Sequence, residues 1–370
     1  MRPRLNRLHI GGYRSLREVA LTLGDLTVLI GPNGAGKSNL LDALRCLNAL
    51  RRGGLRSFVG QAGGASTLLH RSQKPSDSIK FELFYTREAV DDLRATDYAV
   101  TLRPTQDDGL IIETEWMTLE PADRPDVRTV PGQPGRRESS LLDELHPDAP
   151  RVLQFPAFSV YHFHDTSSGA PLRTPARAGD DQQLREDGGN LPALLLRLRD
   201  GQSPEERVAW STLLRKVREV APPVHLLRPT WVNGGPDPRV RLDWEDVQGN
   251  VFGPHQLSDG TLRAIALLAA LHQPERPALM AFDEPELGLH PAALSTIAAA
   301  LRSASAQSQV LVATQSPLLL DEVQAEDVVV CELGEGATRL RRLDAPALDG
   351  WLEHYTLADL WQMSVLGGRP

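Results

Sequence analysis

The nine residues Gly31, Pro32, Asn33, Gly34, Ala35, Gly36, Lys37, Ser38 and Asn39 constrain this chain more than any other stretch. They satisfy the pattern G-x-x-x-x-G-K-[ST], and the flanks supply the context that the pattern needs. The run before them, residues 26–30 (LTVLI), is short and β-rich. The run after them places Leu40, Leu41, Leu44 and Leu47 on one face of a helix. Strand, glycine loop and helix make a phosphate cradle. Glycines let backbone N–H groups turn inward onto phosphate oxygens, and the helix N-terminus adds partial positive charge. Lys37 is expected to reach the β- and γ-phosphates and Ser38 to ligate Mg²⁺. Arg14 sits in a turn upstream, where it either approaches the nucleotide or is an ordinary surface arginine.

At 370 residues and 41% apolar content, the chain has material for one large or two ordinary domains. No run approaches the 18 apolar residues of a membrane span. The N-terminus, MRPRLNRLHI, is basic but lacks the apolar centre of a signal peptide. Two cysteines, Cys46 and Cys331, make no disulfide framework, so a reducing cytoplasm is the expected setting. The net charge of −8 argues against a nonspecific polycation, but it is unevenly distributed. Residues 1–80 hold 13 Lys/Arg against 4 Asp/Glu, and the remainder 27 against 44. This permits a local nucleic-acid surface on an acidic protein, or charges simply dispersed over the surface.

Along the chain, residues 5–10 and 16–23 read as strands around the turn Gly11-Gly12. Residues 55–75, rich in Gly, Ser and Gln, read as loop. Residues 79–85, 98–102 and 110–117 read as an antiparallel β-layer, with Asp107-Asp108-Gly109 turning between the last two. Residues 121–150 are a long loop by composition. Residues 158–163 read as a strand ending in His162-Phe163-His164-Asp165. That run is a metal site, a polar segment near the nucleotide, or a plain strand end. Residues 170–190 read as loop, and two helices follow. Asn190 is placed to cap the first, and Ser203-Pro204-Glu205-Glu206 opens the second with a capping box. After strands near 224–232 and 240–244, joined by a turn that includes Asn233-Gly234-Gly235, strands and helices alternate. Helices are expected at 257–271, 291–301 and 317–320, and strands at 278–282, 310–313 and 328–331. This alternation implies an α/β fold with a largely parallel sheet.

The apolar strand 279–282 runs into Asp283-Glu284-Pro285. An acid at the end of a buried strand can hold the Mg²⁺ water shell, and the next can polarise the attacking water. Asp283 is therefore the expected metal residue and Glu284 the general base. Leu257, Ser258, Asp259, Gly260 and Thr261 open a helix and make a second phosphate-binding surface. This pentapeptide resembles the signature of ABC-type ATPases, which usually reads LSGGQ. The likeness implies that the signature of one subunit closes over nucleotide held by another. One phosphate loop and one signature per chain then require two chains. Residues 286–291 (ELGLHP) stand where ABC proteins have the D-loop, and Gln315 stands in VATQSP where they usually place the switch histidine. Gln315 can still donate a hydrogen bond, with lowered turnover as one consequence.

The set RLHIGGYRSL, GPNGAGKSNLLDAL, LSDGT, FDEPELGLHP and VATQSP resembles the RecF/SMC-like ATPases. Within these it is most similar to the stand-alone AAA-family group related to the ATPase part of OLD-family proteins. The tail WLEHYTLADLWQMSVLGGRP resembles the same group. The likeness covers residues 4–50 and 250–370 well and the middle weakly. It implies an ABC-type head: a RecA-like core, an antiparallel β-layer and a helical lobe, and because only about residues 166–222 are available for that lobe, a short one without a long coiled coil is expected. The implied organisation is residues 1–165 as the first half of the head, 166–222 as an inserted helical lobe, and 223–370 as the second half. It leaves Gln154 and His164 as candidates for the Q-loop position. OLD-family nucleases add a C-terminal metal-dependent nuclease domain, and the short tail after the strand at 328 leaves too little for one, so no nuclease domain is expected here. The expected activity is hydrolysis of ATP with Mg²⁺, in a homodimer that closes on ATP and switches a DNA- or partner-binding surface in DNA repair or maintenance. The alternative is a nucleotide-gated scaffold for a separate effector, such as a nuclease in phage defence. A transport ATPase is a weaker third reading, and no membrane association is expected.

Overall fold

A computed structural model describes residues 4–71, 76–86, 93–121, 128–141, 157–232 and 237–368. The chain forms two compact units, Met1–Phe158 with Ala325–Pro370, and Ser159–Gln324.

The first unit contains a six-stranded antiparallel sheet. Its order is Leu16–Thr22, Arg4–Tyr13, Ile79–Thr86, Leu93–Pro104, Leu110–Pro121 and Arg128–Pro131. Alternation sets the inner face: Leu8 and Ile10 of one strand lie with Phe81 and Leu83 of its neighbour, all buried. A second group pairs Leu26–Ile30 in parallel with Val328–Gly334, which forms a hairpin with Ala337–Arg342. Val28, Leu29 and Ile30 meet Val328, Val329 and Val330, an unbroken apolar run of the kind that parallel strands buried on both faces require. The helix Lys37–Arg51 follows the loop.

The second unit pairs Leu279–Asp283 in parallel with Gln309–Thr314. The helices Asp259–His272 and Leu294–Ser305 pack together, the second also against Gln309–Thr314. The helices Leu191–Asp200 and Pro204–Val220 pack on each other, and the first on a small sheet of Leu226–Val232, Arg239–Glu245, Val251–Phe252 and Ala176–Arg177. At 17 residues, Pro204–Val220 is the longest helix among the described residues. Its capping box forms as expected. Ser203 Oγ accepts from Glu206 N at 3.1 Å, and Ser203 N donates to Glu206 Oε2 at 3.2 Å.

Several expectations require correction. Residues 55–68 are not loop: they form the short helices Leu55–Gln61 and Ala65–Leu68. Both are too short to form by propensity. Leu55, Val59, Ala65 and Leu68 bury them, and remote carboxylates satisfy their first N–H groups. Glu138 accepts from Leu55 N and Arg56 N at 3.0 Å each, and Asp108 from Ser66 N at 2.8 Å. The span 121–150 includes the edge strand Arg128–Pro131. Residues 170–190 include a short 3₁₀ turn, Pro171–Arg173, and the sheet strand Ala176–Arg177. Asn190 does stand at the N-cap, but its side chain makes no cap bond. It accepts from Arg185 N and donates to the carbonyls of Asp180 and Gln183, tying the preceding loop together. The helix expected at 291–301 begins as a 3₁₀ turn, Pro291–Ala293, and runs as Leu294–Ser305. The tail adds two helices that were not expected, Ala345–Leu352 and Leu357–Gln362. The turn at Asn233-Gly234-Gly235 and Gln154 lie outside the described residues.

Candidate functional site

The phosphate loop lies in the first unit, between Leu26–Ile30 and Lys37–Arg51. Gly34 and Gly36 have φ of 80° and 102°, which an L side chain rarely adopts. A Cβ on Gly34 would meet nothing within 4 Å, so this side of the loop is open. The other side is packed: a Cβ on Gly31 would come within 2.3 Å of the Cys331 carbonyl oxygen. Lys37 is 5% exposed, and its Nζ donates to the carbonyls of Gly31 at 2.7 Å and Pro32 at 3.0 Å. Ala35 N donates to Pro32 O at 3.2 Å. Ser38 and Asn33 are exposed. The side chain of Asn39 turns back to donate to Ser15 Oγ at 2.7 Å. Burial pushes the Cys331 thiol up to about 12, against the opposing pull of Lys37.

Arg14 has φ 46°, the left-handed region that non-glycine residues occupy only when their surroundings enforce it. Here two contacts do so. Its Nη2 lies 2.9 Å from Asp42 Oδ2 on the loop helix, and its carbonyl receives His70 Nδ1 at 2.5 Å. Tyr13 O–H donates to the same Asp42 oxygen at 2.6 Å, and burial drives that phenol's pKa up. Arg14 Nε is buried with no hydrogen-bond partner among the described residues.

The second unit carries the acidic pair Asp283-Glu284, the signature-like run 257–261 and residues 312–317, expected as the switch segment. Asp283 ends its strand, and Glu284 turns sharply away with φ 46° while its N–H donates to Ala313 O at 2.8 Å. The neighbouring cleft is lined by Tyr161, His164, Arg263, Phe282, Asp283 and Glu284, among others. Tyr161 stacks on Phe282, with ring centroids 5.1 Å apart. His164 Nε2 lies 3.2 Å from the Asp283 carbonyl oxygen. The His162–His164–Asp165 run joins no wider cluster: among the described residues, no group of three or more His, Cys, Asp or Glu is placed to hold a metal. Arg263 donates to the carbonyls of Phe163 at 3.1 Å, His164 at 2.8 Å and Leu287 at 3.4 Å.

In the signature, Ser258 caps the helix Asp259–His272, its Oγ accepting from Thr261 N at 3.1 Å. Leu257 is buried. Gly260 lies against the backbone of Gly288, where a Cβ would stand 2.0 Å from the carbonyl oxygen. Glu286 Oε1 accepts from Thr314 Oγ1, and Thr314 Oγ1 accepts from Ser316 N at 2.9 Å, joining the loop after the acidic pair to the switch segment. Gln315 itself is exposed.

Arg173 is a residue that sequence reasoning missed. At 7% exposure it donates to the carbonyls of Thr166 at 2.8 Å, Leu257 at 3.2 Å and Pro254, and to Asp259 Oδ1 at 2.7 Å. Its hydrogen bond, seconded by one from Thr166, holds the Asp259 carboxyl below the usual range. An arginine 84 residues before Leu257 gives no local signal. Arg173→Met should remove the guanidinium from the carbonyls of Thr166 and Leu257 and from the Asp259 carboxylate, and cost about 2 kcal/mol or more. Thermal unfolding checks this, and an unchanged melting temperature would contradict it.

The sequence profile of the family described as "AAA domain, putative AbiEii toxin, Type IV TA system" matches residues 26–321. The OLD nuclease of Thermus scotoductus is 43% identical over 54 residues, 15% of this chain and 10% of that protein. The phosphite import ATP-binding protein PxtA of Stutzerimonas stutzeri is 40% identical over 89 residues, 24% of this chain and 32% of that protein. The chain thus matches a tenth and a third of these relatives' lengths. Among solved structures, an Smc head bound to the C-terminal winged-helix domain of ScpA has a TM-score of 0.60 at 16% identity, over 95% of this chain and 99% of the other. An Smc head with an extended coiled coil bound to the C-terminal domain of ScpA, from Pyrococcus furiosus, has 0.60 at 14%, with the same coverage. The fold is that of an SMC-type ATPase head.

Proposed function

The chain belongs to the AAA-domain family whose profile spans residues 26–321, and on that footing we propose that it binds and hydrolyses ATP with Mg²⁺. One observation carries the reading. A glycine loop with two left-handed glycines opens a helix, with Lys37 buried across it and Ser38 exposed beside it. Its donors are N–H groups, an ammonium and a hydroxyl, which suit a polyphosphate with a hard cation. Lys37 and the loop amides bind the phosphates. Ser38 would offer Mg²⁺ a hydroxyl oxygen and Asp283, at the end of its strand, a carboxylate, and the ion would supply positive charge against the phosphates. Glu284 takes the proton of the attacking water on a carboxylate oxygen.

The signature Leu257–Thr261 acts on nucleotide held by a second copy, so ATP closes a homodimer and hydrolysis reopens it. Light scattering on Glu284→Gln tests this. The mass should double with ATP and Mg²⁺ and stay monomeric without them; a mass indifferent to nucleotide would refute use of the signature between chains.

The surface that the cycle switches is either DNA-facing or protein-facing. Several cations of residues 1–80 are already engaged: Arg4 with Asp25, Arg14 with Asp42, and buried Arg51 with Asn48. The tail instead exposes Trp351 (43%), Tyr355 (41%) and Met363 (49%). This favours the second reading, a nucleotide-gated scaffold for a separate effector protein. No helix is long and apolar enough to cross a membrane among the described residues, and the cytoplasm is the compartment proposed.

A further inference from the structure

The phosphate loop is gripped from a strand some 300 positions away in sequence. Thr338, 2% exposed on Ala337–Arg342, donates from Oγ1 to the Ala35 carbonyl at 2.9 Å. Its Oγ1 also lies 2.7 Å from Ser15 Oγ, and Ser15 Oγ accepts from Asn39 Nδ2 at 2.7 Å. The Thr338 N–H donates to the Ser15 carbonyl at 2.7 Å, fixing the hydroxyl in place.

Hydrogen-bond accounting gives this chain a direction. Asn39 Nδ2 can only donate and the Ala35 carbonyl can only accept. Each hydroxyl has one proton. Ser15 therefore accepts from Asn39 and donates to Thr338, and Thr338 donates to Ala35. Every member is satisfied in this one arrangement. The consequence falls on the peptide between Ala35 and Gly36. In a trans peptide the C=O and the next N–H point opposite ways. With the carbonyl held on Thr338, the Gly36 N–H faces away from Thr338. A Cβ on Gly36 would lie 1.9 Å from Thr338 Oγ1, so the loop sits directly on this hydroxyl. Were the carbonyl released, the peptide could rotate and aim a negative dipole at the bound phosphates.

We propose that Thr338 is a positioning residue for nucleotide binding: it holds the Ala35 carbonyl so that the Gly36 amide is presented to phosphate. The proposal rests on the reading of residues 31–39 as a nucleotide site, and it does not involve the chemical step.

The test compares two substitutions that each remove two hydroxyl hydrogen bonds. Thr338→Val breaks the bonds to Ser15 and Ala35; Ser15→Ala breaks those to Asn39 and Thr338 but leaves Thr338 on Ala35. Calorimetry with ADP and Mg²⁺ gives the affinity, and thermal unfolding without nucleotide gives the stability. Both variants should lose comparable stability. Thr338→Val should weaken ADP binding about tenfold, the worth of one hydrogen bond. Ser15→Ala should stay within about twofold of the parent by the same accounting, and Thr338→Ser should restore the parent affinity. If Thr338→Val does not fold, Thr338→Cys, with a weaker donor in the same place, replaces it in the comparison. Equal affinity losses in the Thr338→Val and Ser15→Ala proteins, or no loss in either, would overturn the proposal and leave a merely structural network. If the parent protein itself binds no ADP, the nucleotide-site reading fails first, and the Thr338 proposal with it.

Discussion

Glu284→Gln should lower ATP turnover by about 10²–10⁴-fold while leaving ATP affinity near that of the parent protein. The substitution keeps the size and shape of the side chain but removes its capacity to accept a proton. It also preserves what holds the turn, because the Glu284 N–H to Ala313 O bond is made by backbone. The left-handed φ of 46° is equally unfavourable for Glu and Gln, so the change adds no backbone strain. Phosphate release at saturating ATP measures the first effect and calorimetry the second. Hydrolysis at the parent rate would remove Glu284 from the role of base. Loss of binding together with turnover would make it a structural residue.

Backbone strain at Glu284 and at Arg14 was not legible in the sequence, although both residues were singled out there. What was legible is the part of the fold set by neighbouring residues. The strand Leu26–Ile30 was read with its observed bounds because five consecutive residues of β-rich, largely apolar type before a glycine loop leave few alternatives. The capping box at Ser203 and Glu206 was equally local. The short helices Leu55–Gln61 and Ala65–Leu68 were missed because their end groups are satisfied by Glu138 and Asp108, tens of residues away. Asn190 shows the converse. It occupies a cap position but has stronger partners in the loop behind it.

The same division runs through the candidate site. Residues 31–39, Asp283 and Glu284 announce themselves, since glycine, lysine and paired acids at fixed spacing are what the chemistry needs. The residues that fix the backbone of the phosphate loop and of residues 254–257, 163–166 and 287 do not. Arg173, Arg263 and Thr338 act through backbone carbonyls, and a carbonyl carries no sequence identity. Any residue type can present one, so only the fold shows which arginine or threonine reaches it.

Gly260→Ala should disable the protein, even though residue propensity alone predicts the opposite sign. Gly260 lies in the first turn of Asp259–His272, where alanine would stabilise an isolated helix by up to about 1 kcal/mol. Packing opposes this. The added Cβ would stand 2.0 Å from the Gly288 carbonyl oxygen and 2.9 Å from its carbon. Both are backbone atoms, so no side chain can swing aside. Relief requires a displacement of about 1 Å, and overpacking of this kind costs about 1–3 kcal/mol. Gly288 cannot yield freely: its φ is 77°, and Arg263 is bonded to the carbonyl of Leu287 just before it. The movement therefore passes to the turn that carries Glu284 and to the signature itself. Misplacement on that scale lowers turnover by about 10²-fold. Gly253→Ala is the matched control, because its Cβ would meet nothing closer than 3.9 Å and its φ is −83°. Steady-state turnover and thermal unfolding of the two variants check the contrast. Gly260→Ala should lose both activity and stability while Gly253→Ala keeps them. Parent-like turnover in Gly260→Ala would mean that the close backbone contact between the signature helix and Gly288 is not needed for catalysis.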